Sequence, residues 1–311
     1  MDTRPIGSLR VSAVGLGCNN FGWHIDEDAS HAVVRAALDA GITHFDTADV
    51  YGDGASEAFL GRALRGERDR VVIATKFGNR TGGTPANVRR SVEASLERLG
   101  TDRIDLYYLH KPDAETPIAD TLRALQETVD DGTVREIARS NFSPEQLREA
   151  EKAAAGGARF VAVQNEYSLL HREPEGDAGT LAASRDLGLA FVPFFPLKSG
   201  LLTGKYRKGD AAPEGSRLAG DTEGSRFNGM GDGLLTAENL DLVERLIAFA
   251  EARGHSILDL AFAYLLAHEP VASVIAGATK PEQVRANVAA AGWQLSDADL
   301  AEVDALLSQP A

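Results

Sequence analysis

Short apolar runs alternate with amphipathic helical segments along the whole chain. In the segment that begins near Thr84, apolar side chains recur at intervals of three and four positions, which predicts a helix. Further helices are predicted at residues 26–41, where Gly41 ends the segment, and at residues 55–65. The apolar runs predict eight strands, at residues 12–17, 43–48, 70–75, 103–110, 134–138, 160–165, 189–195 and 271–277.

Eight short apolar strands with helices between them predict a (β/α)8 TIM barrel, preceded by an N-terminal β-hairpin and forming one domain over residues 1–311. An open, doubly wound sheet is the alternative, but eight repeats in 311 residues favour closure. The glycines at the end of the first predicted strand and in the turn after it, within residues 15–22, do not have the G-x-G-x-x-G spacing of a dinucleotide-binding turn. The irregular stretch 196–236 predicts a long loop, which in a compact domain either covers a ligand or is disordered.

Composition narrows the function classes. The hydrophobic fraction of 43% and the charged fraction of 25% are those of an ordinary globular protein. A net charge of −14 argues against nucleic-acid or anionic-membrane partners. Cys18 is the only cysteine, so a multi-cysteine metal site is not expected. No bound metal of any other kind is expected either. Without a signal pattern or a transmembrane-length apolar run, a cytoplasmic location is expected. The sequence does not indicate whether the chain forms an oligomer.

Polar residues follow three successive predicted strands, at the barrel end where active sites lie. They are Asp46, Lys76 and His110, and Tyr51 lies on the loop after Asp46. Each has a structural alternative, since Asp46 and Lys76 could simply brace the barrel mouth and His110 could be a hydrogen-bonded core residue. A buried ion pair stabilises a fold poorly, however, which favours a functional reason for placing one there.

Together these four side chains suit one chemical task. A free tyrosine has a pKa of about 10, and a nearby ammonium is expected to lower it. A carboxylate would hold that ammonium, and a neutral imidazole would orient a carbonyl oxygen beside the phenol. The set could therefore protonate a carbonyl oxygen. None of the four can supply hydride, so a nicotinamide or flavin cofactor is required.

Seven ordered segments resemble the aldo-keto reductase family, in particular its bacterial and potassium-channel β-subunit-like branch. They are "FDTADVYGDGASEAFLGRAL", "VVIATKFG", "RIDLYYLH", "SNFSPEQL", "VQNEYSLL", "PLKSGLLTGKY" and "GATKPEQVRANVAA". The resemblance implies a (β/α)8 barrel that binds NAD(P)H, usually NADPH, without a Rossmann motif. It also implies that Tyr51 is the general acid–base, that Lys76 and Asp46 tune it, and that His110 orients the substrate carbonyl.

The same resemblance assigns cofactor contacts by position. Those to the nicotinamide are Ser140, Asn141, Gln164 and the stacking ring of Phe194. Those to the pyrophosphate are Leu197, Ser199, Gly200 and Leu201, with Lys205 and Arg217 as charged contacts. Those at the adenosine end are Gly277, Thr279, Gln283 and Asn287, with Lys280 opening a helix whose amino terminus favours phosphate.

Four positions depart from the family pattern. Gln283 stands where many members have an arginine, so NADH remains an alternative to NADPH, although Arg217 and Lys280 could compensate. Ala138, Arg139 and Lys198 replace residues that are commonly small or glycine. The larger side chains could point to the cofactor or into the barrel mouth.

The sequence thus predicts an NADPH-dependent reductase of small aldehydes and ketones. The alternatives are a regulatory subunit that binds the cofactor with little turnover, and an aldolase that forms a Schiff base on Lys76. Asp49 and Asp53, which flank Tyr51, are expected to be solvated loop residues.

Overall fold

The computed structural model describes residues 1–154, 156–214, 216–219 and 233–309. A two-stranded antiparallel hairpin comes first, made by β1 (Thr3–Ile6) and β2 (Leu9–Ser12). Eight parallel strands follow, each paired with its neighbours in the order β10-β3-β4-β5-β6-β7-β8-β9. They are β3 (Val14–Gly17), β4 (His44–Asp46), β5 (Val72–Phe77), β6 (Ile104–Leu109), β7 (Val134–Ser140), β8 (Ala162–Glu166), β9 (Ala190–Phe194) and β10 (Val274–Gly277).

The first and last strands of that order meet and close the sheet. Ala272 N donates to Phe191 O at 2.9 Å, and Phe191 forms a parallel bridge with Val271. The closed (β/α)8 barrel predicted from the apolar runs is therefore confirmed, and the open sheet is not formed. The strands begin up to three residues later than predicted, and β7 extends two residues further.

Helices cover the outside of the barrel. In the described residues they are α1 (Glu27–Asp39), α2 (Ala55–Ala63), α3 (Pro85–Leu99), α4 (Ile118–Asp130), α5 (Pro144–Ala154), α6 (Thr180–Asp186), α7 (Ala237–Glu251), α8 (Ile257–Ala267), α9 (Pro281–Ala290) and α10 (Asp297–Ser308). None of these helices is long and apolar enough to cross a membrane.

Local sequence signals fix where the early helices start and stop. The Asp26 side chain accepts from Ala29 N, and the Thr84 side chain accepts from Asn87 N, so both residues cap free amides. Gly41 follows α1 with a φ of 84°, a conformation that glycine adopts without strain. Each helix is thereby ended where the chain must turn back into the next strand.

The hairpin closes the amino-terminal end of the barrel. Ile6, Leu9 and Val11 belong to the same buried cluster as inward-facing strand residues such as Leu106 and Val192. Ser8 N donates to Glu136 Oε1 at 2.7 Å, which ties the hairpin to the lower part of β7. With that end closed, the carboxyl end is the side from which a ligand could reach the barrel interior.

Candidate active site

The carboxyl ends of four strands bring the expected polar residues together. Asp46 ends β4, Lys76 is the penultimate residue of β5, and His110 directly follows β6. Gln164 lies inside β8, across the barrel from β4. All four are buried, with Lys76 completely inaccessible. They lie together because parallel strands end on the same side of the sheet.

The Lys76 ammonium is held by two oxygens. Its Nζ donates to Asp46 Oδ1 at 2.5 Å and to the backbone oxygen of Thr47 at 2.9 Å. The other carboxylate oxygen, Asp46 Oδ2, accepts from Gln164 Nε2 at 2.8 Å. Burial alone would lower the pKa of Lys76, but Asp46 and Tyr51 outweigh it and raise that pKa above its usual value. Lys76 is therefore an ammonium at neutral pH.

Tyr51 reaches this pair from the loop after β4, at the start of a short 3₁₀ helix, Tyr51–Gly54. Gly52 has a φ of 57°, and a Cβ added there would lie 2.8 Å from Phe21 O, so the turn requires glycine. The turn places the Tyr51 ring with its centroid 5.2 Å from Lys76 Nζ and 6.0 Å from the centroid of the His110 ring. The phenol ring of Tyr51 thus lies close to both the Lys76 ammonium and the His110 imidazole.

The protonation of Tyr51 corrects an expectation from the sequence. Burial raises the pKa of the phenol more than the charge and hydrogen bonding of Lys76 lower it, and Asp46 raises it further. The pKa of Tyr51 is therefore above 10 rather than below, because desolvation of a phenolate outweighs one nearby ammonium that is already paired. The side chain is a neutral phenol that can donate a proton.

His110 is a neutral imidazole. Burial, the Lys76 ammonium and the charge of Lys111 lower the pKa of His110 to about 3. Its Nδ1 is buried and has no hydrogen-bond partner among the described residues. Asn141 Nδ2 donates to the backbone oxygen of His110 at 2.9 Å, which fixes the end of β6 relative to β7. A neutral ring here can orient a carbonyl oxygen without competing for the proton of Tyr51.

The residues assigned to the nicotinamide lie at the same end of the barrel. Ser140 Oγ donates to Gln164 O at 2.7 Å, and Asn141 Nδ2 lies 3.0 Å from Ser140 Oγ. Phe194 ends β9, the next strand around the barrel, and is only partly buried. Amide and hydroxyl groups of this kind suit a carboxamide, and the ring of Phe194 offers a face for stacking.

The loop after β9 has a strained backbone. Phe195, Lys198, Ser199 and Gly200 all have φ between 43° and 93°. Each non-glycine residue held in this region costs about 1–3 kcal/mol, and such strain is concentrated at functional sites. Two amides of the loop are used within it, since Lys198 N donates to Phe195 O at 3.0 Å and Gly200 N donates to Leu197 O at 2.8 Å. We refer to residues 195–200 as the strained loop.

Two of the expected pyrophosphate contacts lie in this loop or directly after it. Leu197 is within the loop and packs against the core, and Leu201 follows it and is buried. A Cβ added to Gly200 would lie 3.0 Å from Lys205 Nζ, so the lysine cation borders the strained loop.

Arg217 is linked through Asn20 to the segment that follows β10. Its Nη2 donates to Asn20 Oδ1 at 2.7 Å, and Asn20 Nδ2 donates to the backbone oxygen of Ala278 at 3.3 Å. A Cβ added to Gly277 would lie 3.1 Å from Asn20 Nδ2, so this position is closely packed. The arrangement connects the loop after β9 with the end of β10.

The start of α9 carries the remaining assigned residues. Gln283 Oε1 accepts from Thr279 N at 2.7 Å and from Thr279 Oγ1 at 3.2 Å. Lys280 is the N-cap residue without a side-chain cap, and Asn287 is buried one turn beyond Gln283. In the described structure Gln283 therefore stabilises its own turn, and Lys280 is the cation at the helix terminus.

Arg139 points to neither of the two places that the sequence analysis left open, whereas Lys198 lies at the carboxyl end of the barrel. Ala138 faces the barrel interior, and Arg139 faces outward, completely buried between the rings of Phe142 and Phe160. Arg139 therefore contacts neither a cofactor nor the mouth, because successive residues of a strand point to opposite faces. Lys198 forms an ion pair with Glu166 at the end of β8.

Asp49 is also not the solvated residue expected from the sequence. Its Oδ1 is buried without a hydrogen-bond partner in the described structure, and burial together with Glu57 raises its pKa to about 6. Asp53 does extend into solvent, where Arg80 Nη2 lies 3.2 Å from its Oδ1. The difference arises because α2 and its buried Glu57 pack beside the Asp49 backbone, which the local sequence does not reveal.

Sequence reasoning missed two residues that hold the site. The backbone oxygen of Thr47 accepts from Lys76, and a backbone acceptor leaves no side-chain signal. Glu166 was passed over although it stands two positions after Gln164, in the quoted segment "VQNEYSLL". Its position at a strand end, by the rule that identified Asp46, could have marked it.

Comparisons with known proteins agree with this geometry. The sequence profile of the aldo/keto reductase family matches residues 13–308. The chain is 35% identical over 313 residues to an L-glyceraldehyde 3-phosphate reductase of Escherichia coli O157:H7, an alignment that covers 95% of this chain and 89% of that protein. It is 35% identical to the aldo-keto reductase yakc [NADP(+)] of Schizosaccharomyces pombe, over 97% of this chain and 90% of the other.

Two further similarities extend the range of relatives. A probable voltage-gated potassium channel subunit beta of Oryza sativa subsp. japonica is 33% identical, with 91% of this chain and 88% of that protein covered. Among solved structures, the holo form of an aldo-keto reductase from Bacillus halodurans superimposes with a TM-score of 0.80 at 31% identity. That superposition covers 98% of this chain and 96% of the other.

Proposed function

Because the chain belongs to the aldo/keto reductase family and is therefore an oxidoreductase, we propose that it reduces aldehydes and ketones with NADPH, using Tyr51 as the proton donor. The observation that carries the proposal is the meeting of the Tyr51 phenol, the Lys76 ammonium and the His110 imidazole at the open end of the barrel.

Each residue has a distinct task in the proposed reaction. The neutral His110 ring orients the carbonyl oxygen, and Tyr51 donates its proton to that oxygen as negative charge develops. Lys76 stabilises the phenolate that Tyr51 becomes, and Asp46 keeps the ammonium in place. The bound nicotinamide would supply the hydride to the carbonyl carbon. In the reverse direction Tyr51, as phenolate, accepts the proton of an alcohol.

Several placements support a nicotinamide dinucleotide as cofactor. Ser140, Asn141 and Gln164 form a linked polar group beside the four proposed catalytic residues. Lys205 borders the strained loop and offers a cation for the pyrophosphate. For the adenosine end we favour NADPH over NADH, since Lys280 lies at that segment and Arg217 is linked to it through Asn20, although Gln283 replaces the usual arginine.

The aldolase alternative is disfavoured by the state of Lys76. A Schiff base forms only from a neutral amine, and the Asp46 and Tyr51 contacts raise the pKa of Lys76 instead of lowering it. Its two hydrogen bonds also hold Nζ against the barrel wall. A regulatory subunit with little turnover would need no proton donor beside a neutral imidazole, so we keep the reductase as the function proposed.

We include a cytoplasmic location in the proposal.

Consumption of NADPH with an activated aldehyde tests the proposal. The purified protein, NADPH and nitrobenzaldehyde should give a loss of absorbance at the nicotinamide band and an equal amount of the alcohol. The same reaction with NADH should be slower at equal concentration. If a broad panel of aldehydes, ketones and sugars gives no turnover while NADPH binds tightly, the regulatory alternative replaces the reductase.

A further inference from the structure

An ion pair joins two loops at the carboxyl end of the barrel. Lys198 Nζ donates to Glu166 Oε1, although the two residues are 32 positions apart in sequence. Glu166 is the last residue of β8, and Lys198 belongs to the strained loop. The pair therefore links the strand that carries Gln164 with the strained loop.

Lys198 belongs to the strained loop and lies two residues before Gly200, which the Lys205 ammonium borders. The backbone of Lys198 has a φ of 43° and that of Ser199 a φ of 56°, so the chain turns sharply at the ammonium-bearing residue. The Lys198 side chain is 19% exposed, and that of Glu166 is 27% exposed. At such burial a charge is only partly screened by water, so an anion on the loop would interact strongly with both residues.

Glu166 has a second basic group within reach. His171 Nδ1 lies 3.9 Å from Glu166 Oε1, the same oxygen that accepts from Lys198. His171 Nε2 in turn lies 3.5 Å from Glu173 Oε2, and the Glu173 side chain is 86% exposed. If Lys198 turned towards an anion, Glu166 would thus retain a polar neighbour. The geometry provides two arrangements for one carboxylate.

We propose that Lys198 binds the cofactor pyrophosphate and that Glu166 competes with the cofactor for this lysine. The inference rests on the proposed nicotinamide-dependent function and goes beyond it by assigning a residue that departs from the family pattern. Glu166 weakens cofactor binding by holding Lys198 in the ion pair and neutralising its charge. The pair thereby sets the dissociation constant and favours release of the spent cofactor.

Four variants and two cofactors test the proposal by fluorescence titration. Lys198→Gln should weaken NADPH binding about tenfold, because the charge-assisted hydrogen bond to the phosphate is lost. Glu166→Gln should tighten it severalfold. In the double variant the tightening should disappear, because the lysine that Glu166 neutralises is gone. Glu173→Gln is the matched control: it removes the same charge nearby, away from Lys198, and should leave the Kd unchanged.

The contrast between cofactors separates the pyrophosphate from the 2′-phosphate. Both single substitutions should change the Kd for NADH and for NADPH by the same factor. Unequal factors, an unchanged Kd in Glu166→Gln, or equal tightening with and without Lys198 would each overturn the proposal. Failure of the unsubstituted protein to bind either cofactor would overturn the proposed function as well, which distinguishes the two failures.

Discussion

The Lys76 ammonium lies 5.2 Å from the centroid of the Tyr51 ring. The two residues come from different strand ends and are 25 positions apart, so the barrel and not the local sequence brings them together. The contact matters because a phenolate left by proton donation would be unstable at a buried site unless a cation stood beside it. The central claim is that this pair performs the proton transfer.

The contribution of the Asp46–Lys76 pair to stability should be separable from its contribution to turnover. Asp46→Asn leaves the ammonium buried without its counter-ion and should lower the free energy of unfolding by about 3–5 kcal/mol. Replacing both residues, with Asp46→Asn and Lys76→Met, should recover much of that stability because no buried charge remains. Both variants should lose turnover. Urea unfolding and NADPH consumption on the same samples check this, and turnover by the double variant would contradict the roles proposed.

Arg139 should reduce the stability of the fold. Its guanidinium is completely buried, its three nitrogens have no hydrogen-bond acceptor among the described residues, and burial lowers its pKa to about 9. A lowered pKa means that the charged form, present at pH 7, is disfavoured by folding. Arg139→Met should therefore raise the free energy of unfolding by about 1–4 kcal/mol. Urea unfolding measures this, and a large loss of stability would show that the charge is satisfied.

The pH dependence of stability should carry the signature of a buried neutral histidine. The pKa of His110 falls from 6.5 to about 3 on folding, so the unfolded chain binds more protons than the folded one between these values. Stability should consequently fall as the pH drops from about 6.5 towards 3, by up to about 1.4 kcal/mol per pH unit for this group. His110→Asn cannot be protonated and should reduce that slope. An identical slope in the variant would contradict a neutral His110.

The pH dependence of the reaction should differ between its two directions. Tyr51 is protonated at neutral pH because its pKa is raised, and His110 is neutral, so the rate of carbonyl reduction should be nearly flat from pH 6 to 8. Alcohol oxidation needs the phenolate and should become faster as the pH rises in the alkaline range. Initial rates in both directions measure this. A reduction rate that changes with a midpoint near 6.5 would instead indicate a titrating histidine.

The sequence was sufficient for the barrel and for the residues at its mouth, for a physical reason. Parallel strands covered by helices are apolar throughout, so polar residues at their ends are conspicuous, as Asp46 and Lys76 are. The state of those residues depends on a balance between burial and charge. For Tyr51 the expected direction of the pKa shift was wrong because the extent of burial is not visible in the sequence.

Positions set by distant packing also escaped prediction. Arg139 lies between Phe142 and Phe160, and the second of these is 21 residues away in another segment. Asp49 is buried near Glu57 of α2, a neighbour eight positions further along the chain. For Arg139 the strand register decides which face the side chain occupies, and one residue of uncertainty reverses the answer.

Removal of one oxygen tests the central claim most directly. Tyr51→Phe keeps the ring between Lys76 and His110 but cannot donate a proton. Turnover of NADPH with an aldehyde should fall by at least about a hundredfold, while the Kd for NADPH measured by fluorescence stays within about twofold of the unsubstituted protein. Turnover retained at close to its original rate, with the cofactor bound as before, would contradict the assignment of Tyr51 as the proton donor.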